Sequence, residues 1–477
     1  MERRRARPGR GRPARKGDRD GSRSSAPTRT RLIALRVLER VQLAGAYADL
    51  ALHHALSHSS LSAPDRAFAT ELVYGTLRWR GRLDYLLSRC LDRDLDKLEP
   101  LVASALRLGA YQIVVEDRVP VSAAVDETVR CLRAAGAERA TGLANAVLRR
   151  LAREHETIAL PALLDDPLGH LMHALSLPQW IAARFIEQYG PDEAARLARA
   201  SNEAPPLTVR ANRSCVDRDK LLEELLPRFP EARPTRFAAD GLVLGRRGNA
   251  SLDPAFREGR FTVQDEASQL VVGLLDPRPG QRVLDVCAAP GGKATAMAER
   301  VGVEGSVLAL DRNERRLDLA RRAARRLGLG NLACRTHDAS RPLEQVVPEG
   351  GFDRVLVDAP CTGLGTLRRN PDARWRVRPG DPARLAETQL AILRNAAAAV
   401  GPDGVLVYST CTMLPEENEG VVAAFLAESP GFERMQGGRE GEVPEEVGEL
   451  VDTDGFLRCL PHRHDTDGFI AVRIRRK

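Results

Sequence analysis

Short apolar runs recur through the C-terminal half of the chain, and most of them end in acidic or other polar residues. The runs are Val283-Leu-Asp-Val286, Val307-Leu-Ala-Leu-Asp311, Leu332-Ala-Cys-Arg-Thr336, Val355-Leu-Val-Asp358 and Val405-Leu-Val-Tyr408. Apolar runs of this length, bounded by turn residues, predict buried strands. Because they alternate with helical segments through residue 410, the predicted fold class is α/β, with a doubly wound and mostly parallel sheet.

The N-terminal third of the chain has helical periodicity only. Ala34, Leu38 and Val41 share one helix face, and the same spacing returns several times. Ser62 is a predicted N-cap with Pro64 in the first turn. About six such helices between residues 30 and 160 predict a compact all-α bundle, which on pattern alone has no evident chemistry.

The region between these two parts is mixed. Its pattern predicts a helix over 178–200, a strand over 207–212, a helix over 216–227 and a strand over 241–245. We therefore expect linker helices and a small α+β subdomain over residues 161–260. The C-terminal α/β domain is predicted to span residues 261–477.

Composition places most of the positive charge at the N-terminus. The formal net charge of the chain is +7, and residues 1–29 carry eleven Lys and Arg against three acidic residues. This Arg-, Gly- and Pro-rich stretch predicts a disordered basic tail, with nucleic-acid affinity as the alternative interpretation.

The cysteines predict a reduced, cytoplasmic protein. None of the eight forms a Cys-x-x-Cys pair, so we expect neither a disulfide framework nor a metal site. No apolar run reaches the roughly 18 residues that suggest a membrane span. Lysine is rare beside arginine, 5 against 67, which makes a lysine in a glycine loop improbable by chance.

One such lysine ends a glycine loop. Pro290-Gly291-Gly292 follows the first strand, and a helix is predicted to begin at about Lys293. A glycine turn before a helix N-terminus suits a nucleotide-like ligand, because the backbone can approach closely and free N–H groups favour negative charge. The spacing is neither Gly-x-Gly-x-x-Gly nor a Walker loop. A ligand carboxylate with Lys293 as counter-ion fits better, and the alternative is an ordinary strand–loop–helix corner.

The polar residues after the other strands are expected to converge at one edge of the sheet. Ligands bind at the carboxyl ends of strands in open α/β sheets. This edge would collect Asp311, Asp338, Asp358, Cys361 and Cys411. For each aspartate taken alone, the alternative is a helix N-cap after the strand.

Three of these stretches resemble the motifs of the RNA cytosine-C5 methyltransferases, in the order and spacing of that family. They are Cys287-Ala-Ala-Pro-Gly-Gly-Lys293, Asp358-Ala-Pro-Cys361 and Ser409-Thr-Cys411. The resemblance covers at least residues 262–477. It implies a Rossmann-like, seven-stranded methyltransferase sheet whose last strand, over 469–474, is antiparallel and inserted.

The helical part resembles the NusB-like RNA-binding domain of the Sun/RsmB type of these enzymes. The stretches concerned are Asp65-Arg-Ala-Phe-Ala-Thr-Glu-Leu-Val-Tyr-Gly-Thr-Leu-Arg78 and Asn145-Ala-Val-Leu-Arg149. This branch implies 16S ribosomal RNA, or a partial small subunit, as the partner. The alternative is a bundle that only stabilises the protein or dimerises it.

The resemblance also implies S-adenosylmethionine as the methyl donor. Asp311 would hold its ribose, Asp338 would lie by its adenine, and Asp358 would line the pocket near the methyl group. Its methionine and sugar would be wrapped by Cys287, Ala288, Ala289, Pro290, Gly291, Gly292 and Lys293.

Cytosine C5 is a poor nucleophile and must be activated by a thiolate that attacks C6. The spacing does not decide which of two cysteines attacks. The resemblance implies Cys411 as the nucleophile, Asp358 as the partner of the N3/N4 edge of the base, and Cys361 as the group that assists the final elimination.

A basic loop after the Pro-Cys motif resembles the RNA-facing segment of the family. Arg368, Arg369 and Arg374 would hold phosphates, and Trp375 would stack a base. The alternative is a solvated loop with a core tryptophan. The target cytosine would be flipped out of its helix to reach the thiolate.

The predicted function is cytosine-C5 methylation of 16S ribosomal RNA, with no membrane association and no obligate protein partner evident. Two alternatives remain: a tRNA cytosine-C5 methyltransferase and a non-catalytic RNA-binding or antitermination factor. An amino-group methyltransferase would need an Asp/Asn-Pro-Pro-Tyr-type motif in place of Asp358-Ala-Pro-Cys361, and the sequence has none.

Overall fold

The computed structural model describes residues 28–246, 248–436 and 443–477. The predicted basic tail therefore lies outside the described residues, apart from its last two positions. Within the described residues, no helix is both long enough and apolar enough to cross a bilayer.

Seven helices form the N-terminal bundle. They are α1 Arg29–Ala44, α2 Ala48–Ser57, α3 Ala63–Arg78, α4 Arg80–Cys90, α5 Pro100–Val114, α6 Val121–Ala134 and α7 Thr141–Glu154. Their apolar faces form one core, in which α5 is buried along most of its length. The Ser62 side chain accepts a hydrogen bond from Asp65 N, which confirms Ser62 as the N-cap of α3.

Four helical elements link the bundle to the small subdomain. They comprise α8 Pro167–Gly169, a π-helical turn His170–Ala174, α9 Gln179–Tyr189 and α10 Pro191–Ala200. The single helix expected over 178–200 is thus wrong. Gly190 has φ of 75° and Pro191 starts the next helix, so the pair turns the chain between α9 and α10.

The small subdomain is an antiparallel sheet covered by short helices. Its elements are β1 Thr208–Ala211, α11 Arg218–Leu225, β2 Arg233–Pro234, β3 Gly241–Val243, α12 Pro254–Arg257 and β4 Phe261–Val263. The strand order is β2-β3-β1-β4. The Phe261 segment, expected to open the catalytic domain, therefore pairs with β1 in this sheet. A three-residue apolar strand carries no sign of which sheet it joins.

The C-terminal region forms the methyltransferase-type sheet. Its strands are β5 Arg282–Asp285, β6 Ser306–Asp311, β7 Leu332–Thr336, β8 Phe352–Asp358, β9 Val400–Thr410, β10 Phe432–Arg434, β11 Phe456–Cys459 and β12 Phe469–Arg476. Its helices are α13 Glu266–Leu275, α14 Gly292–Val301, α15 Glu314–Leu327, α16 Ala373–Arg376, α17 Asp381–Ala398, α18 Glu419–Glu428 and α19 Pro461–His464.

Seven strands follow the continuous order β7-β6-β5-β8-β9-β12-β10, and β11 also pairs with β12. Strands β5 to β9 are parallel to one another, whereas β12 runs antiparallel to β9, β10 and β11. This confirms the antiparallel, inserted last strand. Apolar clusters cover both faces of the sheet. Because β5 to β9 are parallel, the loops that follow these five strands meet at one edge.

Candidate active site

A contact that admits only glycine shapes the glycine loop. The loop joins β5 to α14, and Gly291 in it has φ of 105°. A Cβ at Gly291 would lie 2.7 Å from Cα of Ala320 on α15, too close for any side chain. No side chain of the described residues caps α14, which leaves its first N–H groups available to a ligand.

A cavity of about 300 Å³ opens at this loop. The predicted donor-binding residues that line it are Cys287, Ala288, Ala289, Pro290, Gly292, Lys293 and Asp358. Gly291, Asp311 and Asp338 lie outside the lining. Sequence reasoning gave no role to Val263, Gln264, Asp265, Ser268 and Asp285, which also line it. The polar pair Gln264-Asp265 before α13 was the available signal for two of these five.

Asp285 is the most unusual group in the cavity. It is 1% exposed, and its Oδ2 has no hydrogen-bond partner among the described residues. Its Oδ1 accepts a hydrogen bond of 3.4 Å from Cys287 N. Burial, together with the nearby Asp358 carboxylate, raises the pKa of Asp285 to about 8. A group with an unpaired oxygen and a displaced pKa in a cleft is typical of a binding or catalytic site.

Lys293 forms an ion pair with Asp358. Its Nζ lies 2.7 Å from Oδ2 of Asp358 and 4.7 Å from the centroid of the Phe469 ring. Ser409 Oγ donates to the other carboxylate oxygen of Asp358 at 3.1 Å. The expectation that Lys293 serves as counter-ion to a ligand carboxylate stays a prediction, and in this structure Lys293 is paired with Asp358.

The other two aspartates bond to nearby backbone groups. Asp311 accepts from the N–H groups of Ala289 and Asn313 at 3.1 and 2.8 Å. Asn313 itself caps α15, so Asp311 is not that cap. Asp338 accepts from Ser340 N and Oγ, and these hydrogen bonds lower the pKa of Asp338. Their roles at ribose and adenine stay predictions.

The two candidate catalytic cysteines meet beside this cavity. Asp358 and Ser409 are register partners on β8 and β9, and each strand leads directly into one cysteine. The Sγ atoms of Cys361 and Cys411 lie 3.3 Å apart. The hydrogen bond between them and burial raise the pKa of Cys361 well above its usual value. Cys361 is therefore held as a thiol, and either sulfur can be the donor of the hydrogen bond between the two.

A buried acid that sequence reasoning missed fixes both cysteine loops. Glu417 is 0% exposed, and its Oε1 accepts from Thr362 N and Gln389 Nε2, both at 2.9 Å. Its Oε2 accepts from Thr362 Oγ1, which lies 2.8 Å from Oγ1 of Thr412. One carboxylate thus ties the residue after Cys361 to the residue after Cys411. The polar run that follows Cys411 within a few residues was the only signal.

The predicted RNA-contacting arginines are mostly buried. Arg368 is 2% exposed and binds Asp465 and Asp467, and Arg374 is 0% exposed. Arg369 pairs with Asp265 and Asp467. Burial and protein acceptors do not favour contact of Arg368 and Arg374 with a phosphate, whereas Arg369 is partly exposed and lines the cavity at the glycine loop. The RNA role of the three residues stays a prediction. A run of basic residues does not reveal whether it faces solvent or a domain interface.

Trp375 is half-buried. Its Nε1 donates to Leu77 O at 2.7 Å, and the guanidinium of Arg80 lies 5.1 Å from its ring centroid. Its ring packs against the helical domain, and the prediction that it stacks a base stays a prediction.

Each of the three structural parts matches a known protein family. The NusB family matches residues 28–153, and a ferredoxin-like domain of RsmF/B-like methyltransferases matches residues 177–251. The family described as "16S rRNA methyltransferase RsmB/F" matches residues 272–475.

A relative from Bacillus subtilis (strain 168), a probable ribosomal RNA small subunit methyltransferase B, is 38% identical over 452 residues, which cover 94% of this chain and 99% of the relative. The chain belongs to the RsmB/F family of 16S rRNA methyltransferases. A ribosomal RNA small subunit methyltransferase B from Yersinia enterocolitica is 35% identical and covers 87% of this chain and 91% of its own length. Membership in the RsmB/F family makes this chain an S-adenosylmethionine-dependent methyltransferase with an RNA substrate.

Solved structures confirm the architecture of this family member. PH0851 superposes with a TM-score of 0.76 at 25% identity, over 93% of this chain and 98% of its own. A methyltransferase homologue from Pyrococcus horikoshii gives a TM-score of 0.56 at 28% identity, over 65% of this chain and 99% of its own. The predicted architecture, with a helical bundle, then a small subdomain and then a mostly parallel sheet, is therefore confirmed.

Proposed function

We propose that this protein methylates C5 of a cytosine in 16S ribosomal RNA through a covalent bond between Cys411 Sγ and C6 of the base. The pair of contacting thiols beside Asp358 carries the proposal. Methylation of an amino group or a hydroxyl needs no thiol, whereas C5 of cytosine becomes nucleophilic only after a thiolate has added to C6.

The raised pKa of Cys361 supports Cys411 as the nucleophile. Contact with Cys411 and burial disfavour the thiolate form of Cys361. A thiol that donates to a neighbouring sulfur stabilises negative charge on that sulfur. Cys361 would therefore promote the thiolate of Cys411 before attack and would lie next to it when the bond to C6 breaks.

The remaining groups have complementary roles. Asp358, oriented by Lys293 and Ser409, would hydrogen-bond the N3/N4 edge of the cytosine as C6 accepts the thiolate. After C5 has gained its methyl group, the C5 proton leaves to a base. The electrons of that C–H bond restore the C5–C6 double bond and expel Cys411 as thiolate.

The cavity at the glycine loop fits the methyl donor. S-adenosylmethionine supplies a methyl group that its sulfonium charge activates for transfer. The cavity volume of about 300 Å³ lies at the lower end of the range of about 300–1,000 Å³ for small-molecule sites. Asp285, whose Oδ2 has no hydrogen-bond partner among the described residues, offers a polar group to the donor, and Gly291 lets the loop pack against α15.

The covalent step is tested with cysteine variants and a 16S RNA transcript. We expect Cys361→Ala to accumulate a protein–RNA adduct that survives denaturing electrophoresis, because release is slowed. Cys411→Ala should form no adduct and no methylated product. Cys334→Ala, on β7 away from the pair, should behave as the wild type. An adduct in Cys411→Ala would contradict the assignment of the nucleophile.

The substrate is tested by bisulfite sequencing of total RNA from cells with and without the gene. Loss of one protected cytosine in 16S RNA is the expected result. Loss in a tRNA would keep the chemistry and overturn the substrate. If no cytosine changes, the protein acts as a non-catalytic RNA-binding factor and the catalytic roles above are wrong.

A further inference from the structure

A second cavity lies where the helical bundle meets residues 372–378. Its volume is about 480 Å³, which is within the range of small-ligand sites. Helices α1, α3, α4 and α5 and the turn after α1 form one side, and the segment around α16 forms the other. Neither the donor site nor the cysteine chemistry uses this cavity.

The charged lining is mainly positive. It comprises Arg80, Arg107, Arg376, Arg378 and one acid, Asp372. Three of these charges are partly neutralised, since Arg80 and Arg107 pair with Asp84 at 3.6 and 2.6 Å and Arg376 lies 3.8 Å from Asp372. Arg378 is exposed at the rim, and within the described part of the chain its guanidinium makes no hydrogen bond. An excess of arginines at a concave surface favours an anionic ligand.

Unpartnered donors point to a ligand as well. Thr76 is 2% exposed, and its Oγ1 has no hydrogen-bond partner in the described residues. The buried Nε atom of Arg376 has no hydrogen-bond partner there either, whereas Nε of Arg80 lies 3.6 Å from Oδ2 of Asp84. Buried polar groups are normally satisfied, so two unsatisfied donors on residues lining one cavity indicate a polar ligand that would bond to them.

The rest of the lining is apolar and partly aromatic. Trp375 contributes an indole ring whose Nε1 is fixed by Leu77 O, and Leu38, Val41 and Leu77 line the cavity beside it. Leu43, at the same site, is 63% exposed. An apolar, aromatic wall next to arginines is the combination that binds unstacked bases and their phosphates.

We propose that this cavity binds an unpaired nucleotide of the RNA substrate, with its phosphate at the arginines and its base against the Trp375 wall. The proposal rests on the proposed function and extends it to a second RNA contact. The N-terminal tail, with its net positive charge, does not suit an arginine-lined cavity. An acidic peptide would match the charge but not the flat aromatic wall.

The wall of the cavity is connected to the catalytic loop. The segment that carries Trp375 begins just after Cys361, and within it Gly365 N donates to Cys411 O at 2.9 Å. A nucleotide bound at Trp375 would thus be held at a fixed position relative to the nucleophile. We infer that the cavity sets which cytosine of the RNA reaches Cys411.

The site is tested by photocrosslinking of full-length protein to a 16S transcript that contains 4-thiouridine. We expect crosslinked peptides from residues 38–46 or 372–378. In parallel, Thr76→Val and Arg378→Gln should each raise the KM for RNA about three- to tenfold, the loss expected for one hydrogen bond or phosphate contact, with kcat unchanged. Arg322→Gln on the exposed face of α15 removes the same charge elsewhere and should leave KM unchanged.

The outcomes separate the two proposals. If the wild type methylates 16S RNA but both cavity variants keep its KM and no peptide of the cavity is crosslinked, the cavity proposal is overturned and the proposed function stands. If the wild type neither binds nor methylates RNA, both proposals fail. If Arg322→Gln weakens binding as much as Arg378→Gln, the effect is general electrostatics and the cavity is again not the site.

Discussion

Glu417 acts on the reaction through the cysteine loops, so its removal is predicted to slow methylation. In Glu417→Gln, an amide N–H₂ replaces one carboxylate oxygen and opposes a donor, either Thr362 or Gln389. The loops of Cys361 and Cys411 then lose their fixed spacing. Because small displacements of reacting groups are costly, we expect kcat to fall at least about tenfold.

The neighbouring acid provides the control for Glu417. Glu416 is partly exposed and pairs with Arg184, so Glu416→Gln removes one surface ion pair, worth at most about 1 kcal/mol. Single-turnover methylation and the alkylation rate of Cys411 by iodoacetamide should change only in Glu417→Gln. Equal rates in the two variants would show that Glu417 does not position the thiols.

Asp285 is predicted to make the stability of the protein depend on pH. The pKa of this carboxyl rises from 3.8 to about 8 on folding. Between these values the folded protein keeps a proton that the unfolded chain has lost. The free energy of unfolding therefore falls as pH rises through this window, by at most about 1.4 kcal/mol per pH unit, and levels off above about pH 8.

Urea unfolding of the wild type and Asp285→Asn at several pH values measures this contribution. From pH 5 to pH 8 the unfolding free energy of the wild type should fall relative to that of Asp285→Asn, because asparagine cannot titrate. Asp318→Asn, on the surface of α15, should retain the wild-type pH profile. A constant difference between wild type and Asp285→Asn would show that the carboxyl does not stay protonated.

At the scale of elements, the glycine loop and α15 depend on each other. Gly291→Ala forces a Cβ against Ala320 and puts alanine at a positive φ, which costs about 1–2 kcal/mol before the clash is counted. We expect the loop to shift away from α15 and the affinity for S-adenosylmethionine to fall at least about tenfold, as measured by calorimetry.

Gly302→Ala separates backbone strain from the clash. Gly302 ends the same helix, α14, with φ of 66° and no atom within 4 Å of a built Cβ. This variant should lose stability without losing affinity for the donor. Similar affinity losses in both variants would mean that helix stability, not the contact with Ala320, governs the loop.

Elements with a strong local pattern could be predicted from sequence, and elements decided by distant contacts could not. Strand β7 has the predicted bounds, because an apolar run ending in polar residues defines it locally, although at the edge of the sheet it is only partly buried. Gly190 was overlooked inside an otherwise continuous helical pattern. The partner of β4 is decided by pairing with β1, which no short-range signal reveals.

At the scale of the molecule, distant contacts also decide which residues of the site could be predicted from the sequence. The glycine loop and both cysteines follow strands and could be placed on one edge. Asp285 could not be singled out, because its displaced pKa arises from burial and from Asp358 on another strand. The arginines of the basic loop were assigned to RNA because their acceptors lie far away along the chain and a linear sequence does not show them.

Arg374 is the clearest of these long-range contacts and is predicted to hold the domains together. Its guanidinium donates to the carbonyl oxygens of Arg78 in the bundle and of Ser176 and Ser201 in the linker region, and to Oδ1 of Asn202. Arg374→Met keeps an apolar side chain of similar length but leaves these buried acceptors unpaired. Since hydrogen bonds to charged groups are each worth about 1.5–3 kcal/mol, we expect a loss of at least about 2 kcal/mol.

The loss should appear as separation of the domains in differential scanning calorimetry. The wild type, with its parts joined at Arg374, should unfold closer to a single transition, whereas Arg374→Met should show the bundle melting apart from the sheet. Arg374→Lys should not rescue it, because a point-like ammonium cannot reach acceptors spread around a planar guanidinium. The exposed variant Arg322→Gln should change stability by less than about 0.5 kcal/mol. Identical calorimetric profiles for Arg374→Met and Arg322→Gln would show that the domains are coupled by the apolar part of their interface instead.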